Sequence, residues 1–188
     1  MEHRLVAPLS KENVMKLRAG DIVYLDGTIL TLRDEAHKRL LSSDGMNMPF
    51  GLDGATIFHC GPLMRKDAEW RPIAIGPTTS ARMTKMTLEM LKRFDIRGII
   101  GKGGMESIAG RIYEKCIYLA STGGCAAITS AQVKHVIDVH WLDLGMTEAV
   151  WVLEVEQFGP LIVGIDAHGN DLYAEVMKKA DEQIKKMF

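Results

Sequence analysis

Apolar positions along the chain change their period several times, and each change predicts an element boundary. In "DIVYLDGTILTL" (21–32) β-rich arms flank Asp26-Gly27, the pattern of two strands joined by a tight hairpin. "RDEAHKRLL" follows, where Ala36, Leu40 and Leu41 share one helical face. "ATIFHCGP" and "WRPIAIGP" read as short strands, each ended by Gly-Pro. "MTKMTLEMLKRF" carries Met83, Met86, Met90, Leu91 and Phe94 at helical spacing, with Thr84 as its expected N-cap. "IRGIIGKGG" is a strand entering a glycine turn, and "MESIAGRIYEK" a helix. A strand at "CIYLA", a small-residue helix at "GGCAAITSAQV" and strands at "HVIDVHWL", "AVWVLEVEQF" and "PLIVGIDA" come next. His168-Gly169-Asn170 then turns into a last helix, "LYAEVMKKADEQIKKMF", with lysines in its final turns where the macrodipole favours them. The sum is one α/β domain over residues 1–188 with a mixed sheet.

Composition excludes several classes of function. A net charge of −1 gives no basic field for nucleic acid. No apolar stretch approaches the ~18 residues of a membrane span, and the first residues do not resemble a secretory leader, so a cytoplasmic protein is expected. Cys60, Cys116 and Cys125 are odd in number, include no C-x-x-C pair, and sit among apolar neighbours. Three thiolates could hold an iron–sulfur cluster, but buried, hydrophobe-like cysteines are the simpler reading.

Candidate chemistry concentrates in two segments, "GPTTSARM" (76–83) and "GIIGKGG" (98–104). Each follows an apolar run, opens into small residues and carries a cation, Arg82 or Lys102. A P-loop requires Ser or Thr after its lysine, where Gly103 stands; a dinucleotide fingerprint requires a third glycine that "GKGGME" lacks. A carboxylate suits these cations better. Arg33, Arg82 and Lys102 all stand where strands give way to turns or helices, and arginine can grip a carboxylate with two parallel hydrogen bonds. Charge alone favours unrelated surface ion pairs over such a site.

"LRDEAHKRL", "GPTTSARM", "GIIGKGG" and "DLGMTEAVWVLEVEQFGPLIVGIDAHGNDLY" occur in this order, and together they resemble the β subunit of class I, iron–sulfur fumarate hydratases. L-tartrate dehydratase β subunits and the C-terminal domain of single-chain class I fumarases share the pattern. The likeness runs from about Gly20 to Tyr173. Ala81 stands where the family more often has glycine, and a left-handed conformation there would be strained. Thr84-Lys85 replaces the usual Asp-Pro.

The resemblance implies a swivelling β/β/α fold and an α-subunit partner that holds a [4Fe–4S] cluster, in an α2β2 assembly with β–β contacts. It implies interconversion of L-malate and fumarate, with conversion of L(+)-tartrate to oxaloacetate as the near alternative. An open iron on the partner would act as Lewis acid on the leaving hydroxyl. Arg33, Arg82 and Lys102 would bind the carboxylates of a small dicarboxylate, and Thr78 would move the proton beside one of them. The alternative for Thr78 is a turn hydroxyl that caps a backbone N–H or orients substrate. Thr79, Gly101 and His37 are supporting positions, His37 being expected on the helix surface. A nucleotide binder and a non-catalytic interaction module remain the alternatives from other classes.

Overall fold

The computed structural model describes residues 1–43, 48–105, 108–112 and 114–187. Its strands are β1 (Glu2–Ala7), β2 (Ile22–Thr31), β3 (Ala55–Phe58), β4 (Leu63–Lys66), β5 (Trp70–Ala74), β6 (Ile96–Gly101), β7 (Ile117–Ala120), β8 (Val133–His140) and β9 (Val150–Ile165). The helices are α1 (Lys11–Lys16), α2 (Asp34–Ser42), α3 (Thr84–Arg93), α4 (Ala126–Ala131) and α5 (Leu172–Met187). β2, β3, β6 and β7 run parallel in that order, and β9 is antiparallel to both β7 and β2. Pairing therefore returns to its start and closes a ring of β2, β3, β6, β7 and β9. β1 extends it beside β2, and β8 beside β9. The fold is mixed α/β with a mixed, partly closed sheet, as expected for a swivelling β/β/α domain.

Strand alternation divides the core in two. Phe58, Ile100, Leu119, Leu153 and Val163, with Val23 and Leu25, fill the inside of the ring around Trp151. Their neighbours Ile57, Ile99 and Tyr118 belong to the second, outer cluster with Ala36 and Leu40 of α2 and Met90 and Leu91 of α3, which Ile165 joins at the end of β9. Each fully buried large side chain contributes roughly 1.5–3 kcal/mol, so both layers anchor the strand ends that carry the candidate site.

Five local expectations need correction. Residues 22–31 form one strand, not a hairpin. Gly27, at φ +91°, serves a bulge against β9 where the register shifts, and the Ala7 carbonyl packs where its side chain would be. β9 likewise runs unbroken through Gly159-Pro160, because the Gln132 side chain donates to the Gly159 carbonyl (2.7 Å) and accepts from its N–H (3.3 Å). Thr84 lies inside the first turn of α3 and donates its hydroxyl to the Ala81 carbonyl (2.8 Å); Met83 takes the cap position. Of "MESIAGRIYEK", Glu106, Ser107 and Tyr113 lie outside the described residues, as does Phe188 of the last helix. The remainder forms only a 3-10 turn at Ala109–Arg111, where Gly110 disfavours an α-helix. His37 is fully buried rather than on the helix surface.

Ala81 begins a right-handed 3-10 turn and is not among the residues with positive φ, so the strain considered there is not realised. Residues 1–17, for which the sequence reading made no assignment, add β1 and a short helix started by a Ser10–Asn13 capping box. Among the described residues, no helix is long and apolar enough to cross a membrane.

Candidate active site

The parallel strands place their carboxyl ends along one edge of the sheet, where α/β folds present ligand-binding loops. Arg33 follows β2, His59 and Cys60 follow β3, and Lys102 follows β6. The segment Thr78–Ser80 is stitched between the last two. The Thr78 N–H donates to the His59 carbonyl (2.8 Å), and the Lys102 N–H donates to the Thr78 carbonyl (3.1 Å). The Ser80 N–H in turn donates to the Lys102 carbonyl (3.1 Å), and Thr79 pairs with Lys102 as a parallel bridge. Thr78 is half-buried with both backbone groups engaged. Thr79 and Lys102 are exposed.

Arg33 and Arg82 come together over two carboxylates. Arg82 grips Asp34 side-on, with Nε 3.0 and 3.1 Å from the two oxygens and Nη2 2.8 Å from Oδ2. Those hydrogen bonds hold the Asp34 carboxyl below its usual pKa and raise that of Arg82. Arg33 Nε lies 3.1 Å from Glu148 Oε1 and 3.5 Å from Asp34 Oδ2. Glu148 also accepts from the Glu35 N–H (2.9 Å), capping the N-terminus of α2, since the Arg33 side chain at the N-cap position does not. Among the described residues Lys102 forms no ion pair; its side chain runs over Gly123.

Beneath these loops lies a buried polar chain. His59 Nδ1 is 2.9 Å from Ser80 Oγ, Ser80 Oγ is 3.1 Å from the Tyr118 hydroxyl, and that hydroxyl is 2.6 Å from the Gly103 carbonyl. Gly101 packs so closely on Ser80 Oγ and Tyr118 that no side chain fits there, which explains glycine at this expected supporting position. His37 Nδ1 bonds the Arg33 carbonyl (2.9 Å), and its ring meets that of His59 edge-on at 5.2 Å. Burial depresses the pKa of His37, and more strongly that of His59.

The predicted residues thus fall into two linked groups: Arg33 with Arg82, and Thr78 and Thr79 with Lys102, joined through Ser80. Sequence reasoning passed over Asp34, His59, Ser80, Tyr118 and Glu148 as parts of one arrangement. Only adjacency marked Asp34, and only its place in "GMTEAVW" marked Glu148.

Residues 2–176 match the family model described as Fumarase C-terminus. The chain belongs to that family. The Fumarase C-terminus chain is 48% identical over 185 residues to a Methanocaldococcus jannaschii protein provisionally named L(+)-tartrate dehydratase subunit beta, covering 95% of each. It is 40% identical over 181 residues to the L(+)-tartrate dehydratase subunit beta of Escherichia coli K12, covering 95% of this chain and 90% of that one. A Geobacillus stearothermophilus protein provisionally named fumarate hydratase class I is 37% identical over 184 residues, of which the match spans 35%.

The cysteines of this Fumarase C-terminus chain do not suit an iron–sulfur cluster. Cys60 lies in the ring interior and Cys116 in the outer layer, both fully buried, and burial raises both thiols above their ordinary pKa. Cys125 is half-buried at the start of α4. Cluster ligands must be thiolates that converge. Cys60 and Cys116 are held as neutral thiols in separate layers, Cys125 stands apart at α4, and among the described residues no three His, Cys, Asp or Glu side chains gather as a metal site.

Proposed function

We propose that this chain is the β subunit of a hydro-lyase acting on a four-carbon 2-hydroxydicarboxylate, with L-malate and fumarate as the first reading. The observation that carries the proposal is the meeting of Arg33 and Arg82 beside the Thr78–Lys102 ladder at the carboxyl ends of β2, β3 and β6. Arg82 engages Asp34 through Nε and Nη2, which leaves Nη1 to receive a carboxylate; Lys102 supplies a further cation for the second. Loss of water requires a proton to leave the carbon next to one carboxylate while hydroxide leaves the neighbouring carbon. Negative charge then builds on the carboxylate beside the departing proton, and fixed cations stabilise that build-up more than they stabilise the ground state.

Thr78 is the proposed proton acceptor in dehydration and donor in hydration. A threonine hydroxyl is a weak base, so this role needs desolvation or a basic group contributed by the partner. On the same reading residues 1–188 act as one domain and the α subunit holds the [4Fe–4S] cluster. The assembly is α2β2 with β–β contacts, and it is cytoplasmic.

The names carried by the two relatives of matching length favour a second reading, in which L(+)-tartrate is dehydrated to oxaloacetate through its enol. One extra hydroxyl on the substrate separates the two. Co-expression with the α subunit, followed by comparison of kcat/KM on malate and tartrate, distinguishes them. A cluster-loaded complex that turns over neither acid overturns the proposal.

A further inference from the structure

The buried chain beneath the loops has only one direction of donation that satisfies every contact. The Gly103 carbonyl can only accept, so the Tyr118 hydroxyl donates to it (2.6 Å). Tyr118 Oη then accepts from the Ser80 hydroxyl (3.1 Å), and Ser80 Oγ accepts from His59, whose Nδ1 must carry the hydrogen (2.9 Å). The same logic places a hydrogen on His37 Nδ1, because the Arg33 carbonyl also only accepts. Both imidazoles are left with a bare, buried Nε2 that has no hydrogen-bond partner among the described residues.

The groups tied down by this chain all belong to the site. Through its own backbone His59 holds the Thr78 N–H (2.8 Å) and the Ile100 carbonyl (2.8 Å); Ser80 holds the Lys102 carbonyl (3.1 Å), and Tyr118 the Gly103 carbonyl. A network needed only to satisfy core polar groups has no reason to end on both the Thr78 and the Lys102 turns. We propose that His59, Ser80 and Tyr118 are positioning residues that lock these two turns together and so align the Thr78 hydroxyl with the substrate held by the cations. This rests on the hydro-lyase reading above, and it assigns to the buried layer an effect on the chemical step rather than on substrate affinity.

The test uses the α/β complex. Tyr118→Phe removes one oxygen and keeps the ring, so kcat per folded complex should fall about tenfold or more while KM stays within about twofold. His59→Leu should do the same, and His59→Asn, which keeps a donor where Nδ1 lies, should recover most of the loss. Wild-type kcat in Tyr118→Phe, a loss confined to KM, or no difference between the Leu and Asn variants would overturn the inference. Nitrogen NMR of isotopically labelled histidines in the full chain adds a reading independent of turnover. Both His37 and His59 should show hydrogen on Nδ1, and Tyr118→Phe should perturb His59 but not His37. Hydrogen on His59 Nε2 would refute the direction of the chain and the inference with it. A wild-type complex inactive on both acids strikes the hydro-lyase reading instead, and the NMR result still decides whether the chain is wired as described.

Discussion

Replacing Arg82 by lysine separates the charge of this residue from its shape. In the structure three short contacts join its Nε and Nη2 to Asp34, but the side chains are 41% and 27% exposed. Ion pairs so open to water stabilise a fold by ~0.2–1 kcal/mol. Lysine can keep one of these contacts, so the loss of stability should stay below about 1 kcal/mol, a shift in Tm of roughly 2–4 °C for a domain of this size. Catalysis should respond differently. Losing the fork removes a charge-assisted hydrogen bond to a substrate carboxylate, worth about 1.5–3 kcal/mol, or roughly 10- to 150-fold in kcat/KM. The assay is thermal unfolding of the β chain alongside steady-state kinetics of the α/β complex on malate and tartrate. Near-wild-type kcat/KM would refute carboxylate binding by Arg82. A loss of stability above about 3 kcal/mol would refute the reasoning from exposure, and would mark the pair as a structural element of the fold.

Thr78→Val should lower kcat by about 100-fold or more, with Thr78→Ser retaining much of it, whereas a purely structural hydroxyl predicts lost stability of ~1–2 kcal/mol and nearly intact kcat; kinetics and urea unfolding of both variants decide. Gly61→Ala would put a methyl 2.5 Å from Arg33 Nη1, the mobile end of a long side chain, so KM should rise while Tm changes little; unchanged KM would detach Arg33 from substrate. His37 and His59 have folded-state pKa values below their unfolded ones, so the unfolded chain binds more protons under acid conditions. Their contribution to stability is complete above the unfolded histidine pKa of about 6.5, and below it falls by up to about 1.4 kcal/mol per pH unit for each ring that stays neutral. Urea unfolding at neutral and mildly acidic pH measures this slope, which should be shallower in His59→Asn; a flat profile would contradict the burial of neutral imidazoles.

Most of the edge that carries the candidate site was legible in the sequence, because local signals mark where strands stop. Gly76-Pro77 follows β5 and the "GKGG" turn follows β6, and an arginine stands just past the end of β2. These signals placed Arg33, Thr78, Arg82 and Lys102 at strand ends without any knowledge of pairing. The errors came where one residue type serves two geometries. A glycine at positive φ suits both a two-residue turn and a bulge, so Asp26-Gly27 read as a hairpin although β2 continues through it. Pro160 read as a strand end because the side chain that engages both backbone groups of Gly159 before it, Gln132, lies 27 residues from that glycine. His37 read as a surface residue because the ring it packs against, His59, belongs to another element.

The partners of the two arginines were hidden for the same reason, and they change how the choice should be framed. Surface ion pairs and a carboxylate site were opposed as alternatives when only charge was known. In the fold they are one arrangement: Glu148, brought in from 113 residues beyond Glu35, caps α2 and holds Arg33, while Asp34 holds Arg82. Two guanidinium groups close enough to share Asp34 repel each other, and the carboxylates between them offset that repulsion before any substrate arrives. On the proposed reading, a dianion entering there meets donors already oriented, at less entropic cost than two free arginines would impose. The internal salt bridges therefore count in favour of the site, provided that Arg82 keeps Nη1 for the ligand and the Thr78–Lys102 ladder stays locked beneath it.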